Sequence, residues 1–261
     1  MSTFNYSVRL MELPQDMFGI SLATYLLPTL AGLAAAKKFP EFRQTLSQGL
    51  SYLAFTNLAA AAISLSLAVP IVRLIFERGR SDADATQRVA LSLACLAPGL
   101  LMFSMNNILA RAFYALDDIK TPMKISLVCL VLNLVFAIWL VHPYRKAGLG
   151  VANTLSASLN LALLVCALRR KLSRVGLMGL VNTLLVLVPN AVLAGAVAAA
   201  LAWLWGKQLG HATLLLKAGM VFLPGGVAVL VYWLIALWLK VPAAKEMTDL
   251  ALQRLRKVTK G

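Results

Sequence analysis

Charge is scarce in this sequence. Only 13% of its 261 residues are Asp, Glu, Lys or Arg, where soluble domains carry about 25%. The shortage is lopsided, with 10 acidic residues against 25 basic ones. Glu12, Asp16, Glu41, Glu77, Asp82, Asp84, Asp117, Asp118, Glu246 and Asp249 all fall at the ends of apolar stretches or between them. A proton relay or an intramembrane aspartyl protease needs a carboxylate at mid-membrane, so neither is expected. Histidine is scarcer still: His142 and His211 lie in separate loops, which excludes a metal site or a catalytic triad built on them. Cys95, Cys129 and Cys166 stand singly in apolar segments and read as small buried hydrophobes. Phosphate loops and dinucleotide fingerprints are missing as well. The expectation is a protein that is not an enzyme and uses no cofactor and no metal. The opening MSTFNYSVRL has no apolar core behind a positive charge, so no signal peptide is expected.

Long apolar runs fill the space instead, and 60% of the chain is hydrophobic. Blocks of about twenty such residues cross a bilayer as helices. Seven spans are expected, at Pro14–Ala36, Leu46–Val69, Val89–Leu116, Ile125–Val141, Gly148–Leu168, Gly179–Leu204 and Leu214–Leu239. The fold class is therefore all-α, a polytopic membrane protein with short connections between antiparallel neighbours. The net charge of +15 does not point to nucleic acid, because the basic residues separate apolar blocks rather than pave a soluble face. Membrane lipids with anionic headgroups, or an anionic lipid substrate, fit better.

Counting Lys and Arg in alternate loops orients the chain. Fifteen fall in one set: Lys37, Lys38, Arg43, Lys120, Lys124, Arg169, Arg170, Lys171, Arg174, Lys240, Lys245, Arg254, Arg256, Lys257 and Lys260. Eight fall in the other: Arg73, Arg78, Arg80, Arg88, Arg145, Lys146, Lys207 and Lys217. The first set, and with it the C-terminus, is expected in the cytoplasm.

Several local signals stand out. Leu109–Ser126, LARAFYALDDIKTPMKIS, carries Asp117, Asp118, Lys120 and Lys124 on a tight turn between two spans. Pro122 suits the first turn of the next helix, with Thr121 before it as a cap. Ser81 and Asp84 form a capping-box pattern for the third span. Asn153, Ser156 and Asn160 share one helical face, Asn57 and Ser64 share another, and Asn133 sits mid-span. Such residues bond helix to helix or wall a hydrated cavity. Pro189 and Pro224-Gly225-Gly226 interrupt the last two spans, as tolerated kinks or as a hinge. The segment after Pro242 reads as a basic surface helix or as disorder. Arg9, with Glu12 one turn on, is the charged placement that calls for a function. A straight helix from Arg9 to Ala36 would run about 40 Å, so Arg9 reads plainly as an interfacial anchor that snorkels. It reads functionally as a fixed cation for phosphate oxygens, since a guanidinium fork holds two oxygens and stays charged.

The blocks RLMELP, GISLATYLLPTLA, IVRLIFERG, LARAFYALDDIKTPMKIS, AGLGVANTLSASLN and LRRKL stand in an order and spacing that resemble the MurJ/MviN lipid II flippases. That family belongs to the multidrug/oligosaccharidyl-lipid/polysaccharide exporter superfamily. The blocks match from Phe4 to about Leu172; the rest matches only as two more apolar helices. Members have fourteen helices in two lobes, so the resemblance implies the second lobe, helices 8–14, with an N-terminal lobe missing. It implies a five-helix part at 1–172, the last two helices and a lipid-tail groove at 173–240, and a basic cytoplasmic tail at 241–261. It further implies a bacterial inner-membrane protein that moves lipid II, an undecaprenyl-diphosphate-linked peptidoglycan precursor, between leaflets by alternating access. Arg9 matches the arginine that lines the family's cationic cavity, which makes Arg9 and Glu12 the implied substrate-binding residues. The family usually has an acid just before that arginine; here Val8 stands there, leaving Glu12 to pair at i+3. The resemblance also admits a flippase or exporter of another polyprenyl-linked glycan in the same superfamily, and a reading of a different class is a non-transporting membrane scaffold or remnant.

Overall fold

The computed structural model describes residues 8–9, 11–12, 24–76, 83–172, 177–210 and 213–249. Among these residues the chain is helical throughout apart from short turns. Apolar blocks favour this because a helix satisfies its own N–H and C=O groups where no water can. The elements are α1 (Thr24–Ala35), α2 (Phe39–Ser66), α3 (Ala68–Phe76), α4 (Ala83–Leu96), α5 (Gly99–Ala115), α6 (Lys120–Leu172), α7 (Leu177–Gln208) and α8 (Leu214–Trp238). A short α9 follows at residues 242–249.

α6 keeps helical backbone through 53 residues yet is not one rod. Asn133 Nδ2 donates to Asn153 Oδ1 at 2.8 Å, and Ser156 Oγ donates to the Cys129 carbonyl at 2.9 Å. Residues twenty apart in a straight helix would be separated by about 30 Å. The two limbs, Lys120–Leu140 and Gly148–Leu172, therefore fold back on each other and make two crossings. With α2, Gly179–Gln208 and α8, they bring to five the stretches long and apolar enough to span a membrane. A sixth is the pair Val89–Leu96 and Gly99–Ala115, bent by 47° at its break. Of the first expected span only α1 is described; residues 14–23 lie outside the described residues, as do Ser81 of the expected capping box and the tail from residue 250.

α2 is the central helix and touches α3, α4, α5, α7 and α8. Phe42, Leu46, Leu50, Leu53, Ala54 and Phe55 form its inner stripe. Polar atoms in this core are placed in pairs. Asn57 Nδ2 donates to the Leu53 carbonyl, while its Oδ1 accepts from Ser104 Oγ at 3.1 Å. Tyr232 donates to the Phe55 carbonyl at 2.9 Å and its own carbonyl accepts from Asn190 Nδ2 at 2.9 Å, tying α2, α7 and α8. These bonds bear out the helix-to-helix reading of the intramembrane amides. The first limb of α6 is peripheral by contrast: 6% of its apolar window is buried, against 33% in α2.

The prolines of the last two spans are tolerated inside their helices, and the break comes at another one. α7 and α8 run unbroken through Pro189 and Pro224. The break falls at Ala97-Pro98, between α4 and α5. A helix-interior proline removes one hydrogen bond and bends the helix, but neighbouring helices can carry it through.

Three helices end by the same device. Lys37, Asp117 and Lys240 take φ of 55°, 58° and 54°. At each, the N–H of the positive-φ residue bonds back three residues and the next N–H bonds back five: to Ala34 and Leu33, to Tyr114 and Phe113, and to Leu237 and Ala236. This is the Schellman ending, whose left-handed position normally belongs to glycine. Here it carries charged side chains.

The turn after α5 is capped by Asp118 rather than Thr121. Asp118 Oδ1 accepts from the Thr121 N–H at 3.1 Å, and Oδ2 accepts from the Thr121 hydroxyl at 2.9 Å and from Lys171 Nζ at 2.7 Å. The bond from Lys171, then that from the Thr121 N–H, holds the Asp118 carboxyl down at about 2. A depressed folded-state pKa stabilises the fold above the ordinary carboxylate range, and that contribution is lost as pH falls from about 4. Asp118→Asn keeps a capping oxygen but loses the ion pair with Lys171, so it is expected to lower the unfolding temperature at neutral pH, by at most about 1 kcal/mol. Its deficit should close as the pH is taken below about 4. Asp117→Asn should be silent, because that side chain is exposed and asparagine tolerates φ above zero. Thermal unfolding in detergent at several pH values separates the two.

Candidate functional site

Val8 and Arg9, with Met11 and Glu12, form helical backbone. Met11 is 5% exposed and packs among Ala68, Val72, Val89, Ala90, Leu93, Leu96 and Leu100. That cluster lies at the opposite end of the bundle from Lys37, since the 28 residues of α2 separate them by about 40 Å. Burying Met11 sets the rotation of this turn. Arg9 and Glu12, three apart, are left on its exposed side. Among the described residues no ion pair joins them, so the i+3 pairing expected from the sequence is not formed. The guanidinium stands open to whatever faces that surface.

A second polar feature lies between α5 and the two limbs of α6. Asn106, Asn107, Asn133, Asn153, Ser156 and Asn160 line a cavity of about 420 Å³ together with Phe103, Ser126, Cys129, Leu130 and Ala157. The sequence marked four of these six as a face or mid-span position; Asn106 and Asn107 were missed, although two adjacent amides inside an apolar run were the available signal. Asn106 Nδ2 donates to the Ala157 carbonyl at 3.0 Å, joining α5 to α6. The Oδ1 atoms of Asn106 and Asn160 are buried without a partner. These amides thus bond helices together and also line a cavity. The lining has no acid and no base, so it can hydrogen-bond sugar, peptide or water but cannot move a proton. Among the described residues no group of three or more His, Cys, Asp or Glu is placed to hold a metal ion.

The family model described as "Lipid II flippase MurJ" matches residues 1–241, a stretch that includes the Arg9 turn, the amide cavity and all the long helices. A probable lipid II flippase MurJ from Haemophilus influenzae is 36% identical over 165 residues, covering 61% of this chain and 32% of that protein. A lipid II flippase MurJ from Burkholderia cenocepacia is 36% identical over 173 residues, 65% of this chain and 33% of that one. A third, from Rhizobium tropici, is 28% identical over 236 residues, 90% of this chain and 44% of its own length. The solved structure titled "Lipid II flippase MurJ, inward closed conformation" superposes with a TM-score of 0.71 at 18% identity, over 92% of this chain and 47% of the other. The chain thus spans less than half the length of these relatives. Its all-α bundle and its sequence agree on one assignment: the chain belongs to the lipid II flippase MurJ family.

Proposed function

We propose that this chain forms one lobe, the C-terminal one, of a transporter that flips lipid II across the bacterial inner membrane. The observation that carries the reading is the reach of the family match over residues 1–241, which takes in Arg9 and its exposed turn. In the proposed mechanism the guanidinium of Arg9 grips diphosphate oxygens from the open face of the lobe, and Glu12 orients amine or hydroxyl groups beside it. The second lobe closes the cavity from the opposite side, and rocking of the two lobes alternates access. No bond is made or broken, so no catalytic acid or base is required, which agrees with a neutral amide cavity.

Orientation is part of the proposal. The turns bearing Lys37, Lys120 and Lys171 gather at one end, where Asp118 meets Lys171 and where one cavity touches both Lys37 and Lys171. We place that end, and α9, in the cytoplasm because it holds the larger share of Lys and Arg. In a variant lacking the three native cysteines, single cysteines at Lys171 and Lys245 should resist an impermeant thiol reagent in intact cells. A cysteine at Gln208 should react. Labelling at Lys171 without lysis would invert the topology.

The test of function is complementation. The chain joined in frame to the first lobe of the Burkholderia cenocepacia relative should support growth of a flippase-depleted strain, while the chain alone should not. Failure of the joined protein at full membrane level would favour the scaffold reading.

A further inference from the structure

At the Lys- and Arg-rich end, the turn between α1 and α2, the turn after α5 and the end of α6 enclose a cavity of about 610 Å³. Its polar lining is Lys37, Arg43, Asp117 and Lys171, and the rest is mostly alanine with Phe39, Leu116 and Leu172. Three features suit this cavity to an anion. First, the Nε of Arg43 is buried without a hydrogen-bond partner, an arrangement that charged donors rarely tolerate. Second, the charges do not cancel. Lys171 is engaged by Asp118 at 2.7 Å, which leaves Lys37 and Arg43 against Asp117 alone. Neighbouring Lys38 is taken by Glu41 at 3.2 Å. Third, Lys37, a cation at a glycine-favouring position, lines this cavity. Backbone strain that a glycine would relieve is retained where the side chain has a use.

We propose that this cavity binds a phosphate group carrying a single negative charge. One uncancelled positive charge matches it, and the Arg43 fork supplies the donors. The apolar remainder of the lining suits the glycerol and first methylenes of an anionic phospholipid, and basic pockets between membrane helices take such headgroups. Free inorganic phosphate shares the recognition chemistry, so the test separates the two. The site lies about 40 Å from the Arg9 turn and stands whether or not the chain transports lipid II.

The test uses the full chain in dodecyl maltoside micelles, titrated separately with dioleoyl phosphatidylglycerol, dioleoyl phosphatidylcholine and inorganic phosphate. Unfolding temperature and retained lipid by native mass spectrometry are read. Phosphatidylglycerol should stabilise the protein and remain bound, while phosphatidylcholine should not. Arg43→Gln should weaken the apparent affinity about tenfold, the effect of losing one charge-assisted contact. Lys37→Gly should weaken it similarly while folding at least as well, because glycine is preferred at that helix ending. Lys245→Gln, a basic residue at the same end but outside the cavity, should leave it unchanged. Stabilisation by inorganic phosphate alone, lost in Arg43→Gln, would establish the site and make its ligand soluble. Equal binding of both lipids, no response to any probe, or parental affinity in Lys37→Gly and Arg43→Gln would overturn the proposal.

Discussion

Arg9→Ala in the joined two-lobe protein is expected to abolish growth of a flippase-depleted strain, with membrane protein level unchanged. The level should hold because Arg9 is exposed and the turn is anchored by Met11, which is 5% exposed. Surface substitutions of that kind usually shift stability by less than about 0.5 kcal/mol. Binding is another matter. A charge-assisted contact to a diphosphate contributes roughly 1.5–3 kcal/mol, enough to lower occupancy of the loaded state at least tenfold. Arg9→Lys should recover growth only in part, since lysine keeps the charge but cannot hold two oxygens in one plane. Glu12→Gln should be milder than Arg9→Ala, as no ion pair between the two is present to be broken. Parental growth of Arg9→Ala at equal protein level would leave Arg9 as an interfacial anchor and remove the proposed substrate contact.

The sequence made the crossings legible where hydropathy changes sharply, and less so elsewhere. The fold-back of α6 was expected between Val141 and Gly148, and the observed limbs end and begin at Leu140 and Gly148. His142, Pro143, Arg145 and Lys146 interrupt the apolar run there. α2 starts at Phe39, seven residues before the expected Leu46. Glu41, Arg43, Gln44 and Thr45 lower the hydropathy of its start, so a hydropathy window passes over it, although Pro40 and Glu41 are ordinary helix-start residues. The break at Ala97-Pro98 was hidden for the opposite reason. Both flanks are apolar, so hydropathy reads straight across it.

The same limit applies to the candidate sites. Periodicity alone placed Asn153, Ser156 and Asn160 on one face, because a single helix is enough to show it. It could not show that Asn106 from another helix completes that wall, or that two amide oxygens there are left without partners. Thr121 was the expected cap because it precedes Pro122, but Asp118 accepts from the Thr121 N–H, and its second oxygen takes a bond from Lys171, 53 residues away, that no local pattern shows. Arg43 carried no sequence signal beyond its charge; only its burial marks it.

Gly150→Leu is expected to be strongly destabilising. α6 crosses α4 closely at Gly150: a Cβ there would lie 3.0 Å from the Cys95 Cβ and 3.4 Å from the Ser92 carbonyl oxygen. One turn on, Thr154 Oγ1 donates to the Cys95 carbonyl at 3.2 Å, a bond that depends on the same approach. Small residues at such crossings let membrane helices pack by close contact, where no hydrophobic effect drives them together. A leucine must push the second limb of α6 away from α4, since backbone on one side and Cβ on the other cannot rotate aside. Overpacking of this kind costs about 1–3 kcal/mol, and the lost Thr154 bond adds to it. Gly32→Leu is the matched control. A Cβ at Gly32 meets nothing within 4 Å, and replacing a helical glycine gains up to about 1 kcal/mol in propensity. Thermal unfolding in detergent should therefore move in opposite directions for the same substitution, down at Gly150 and level or up at Gly32. Equal unfolding temperatures for the two variants would mean that α4 and the second limb of α6 do not meet at this distance.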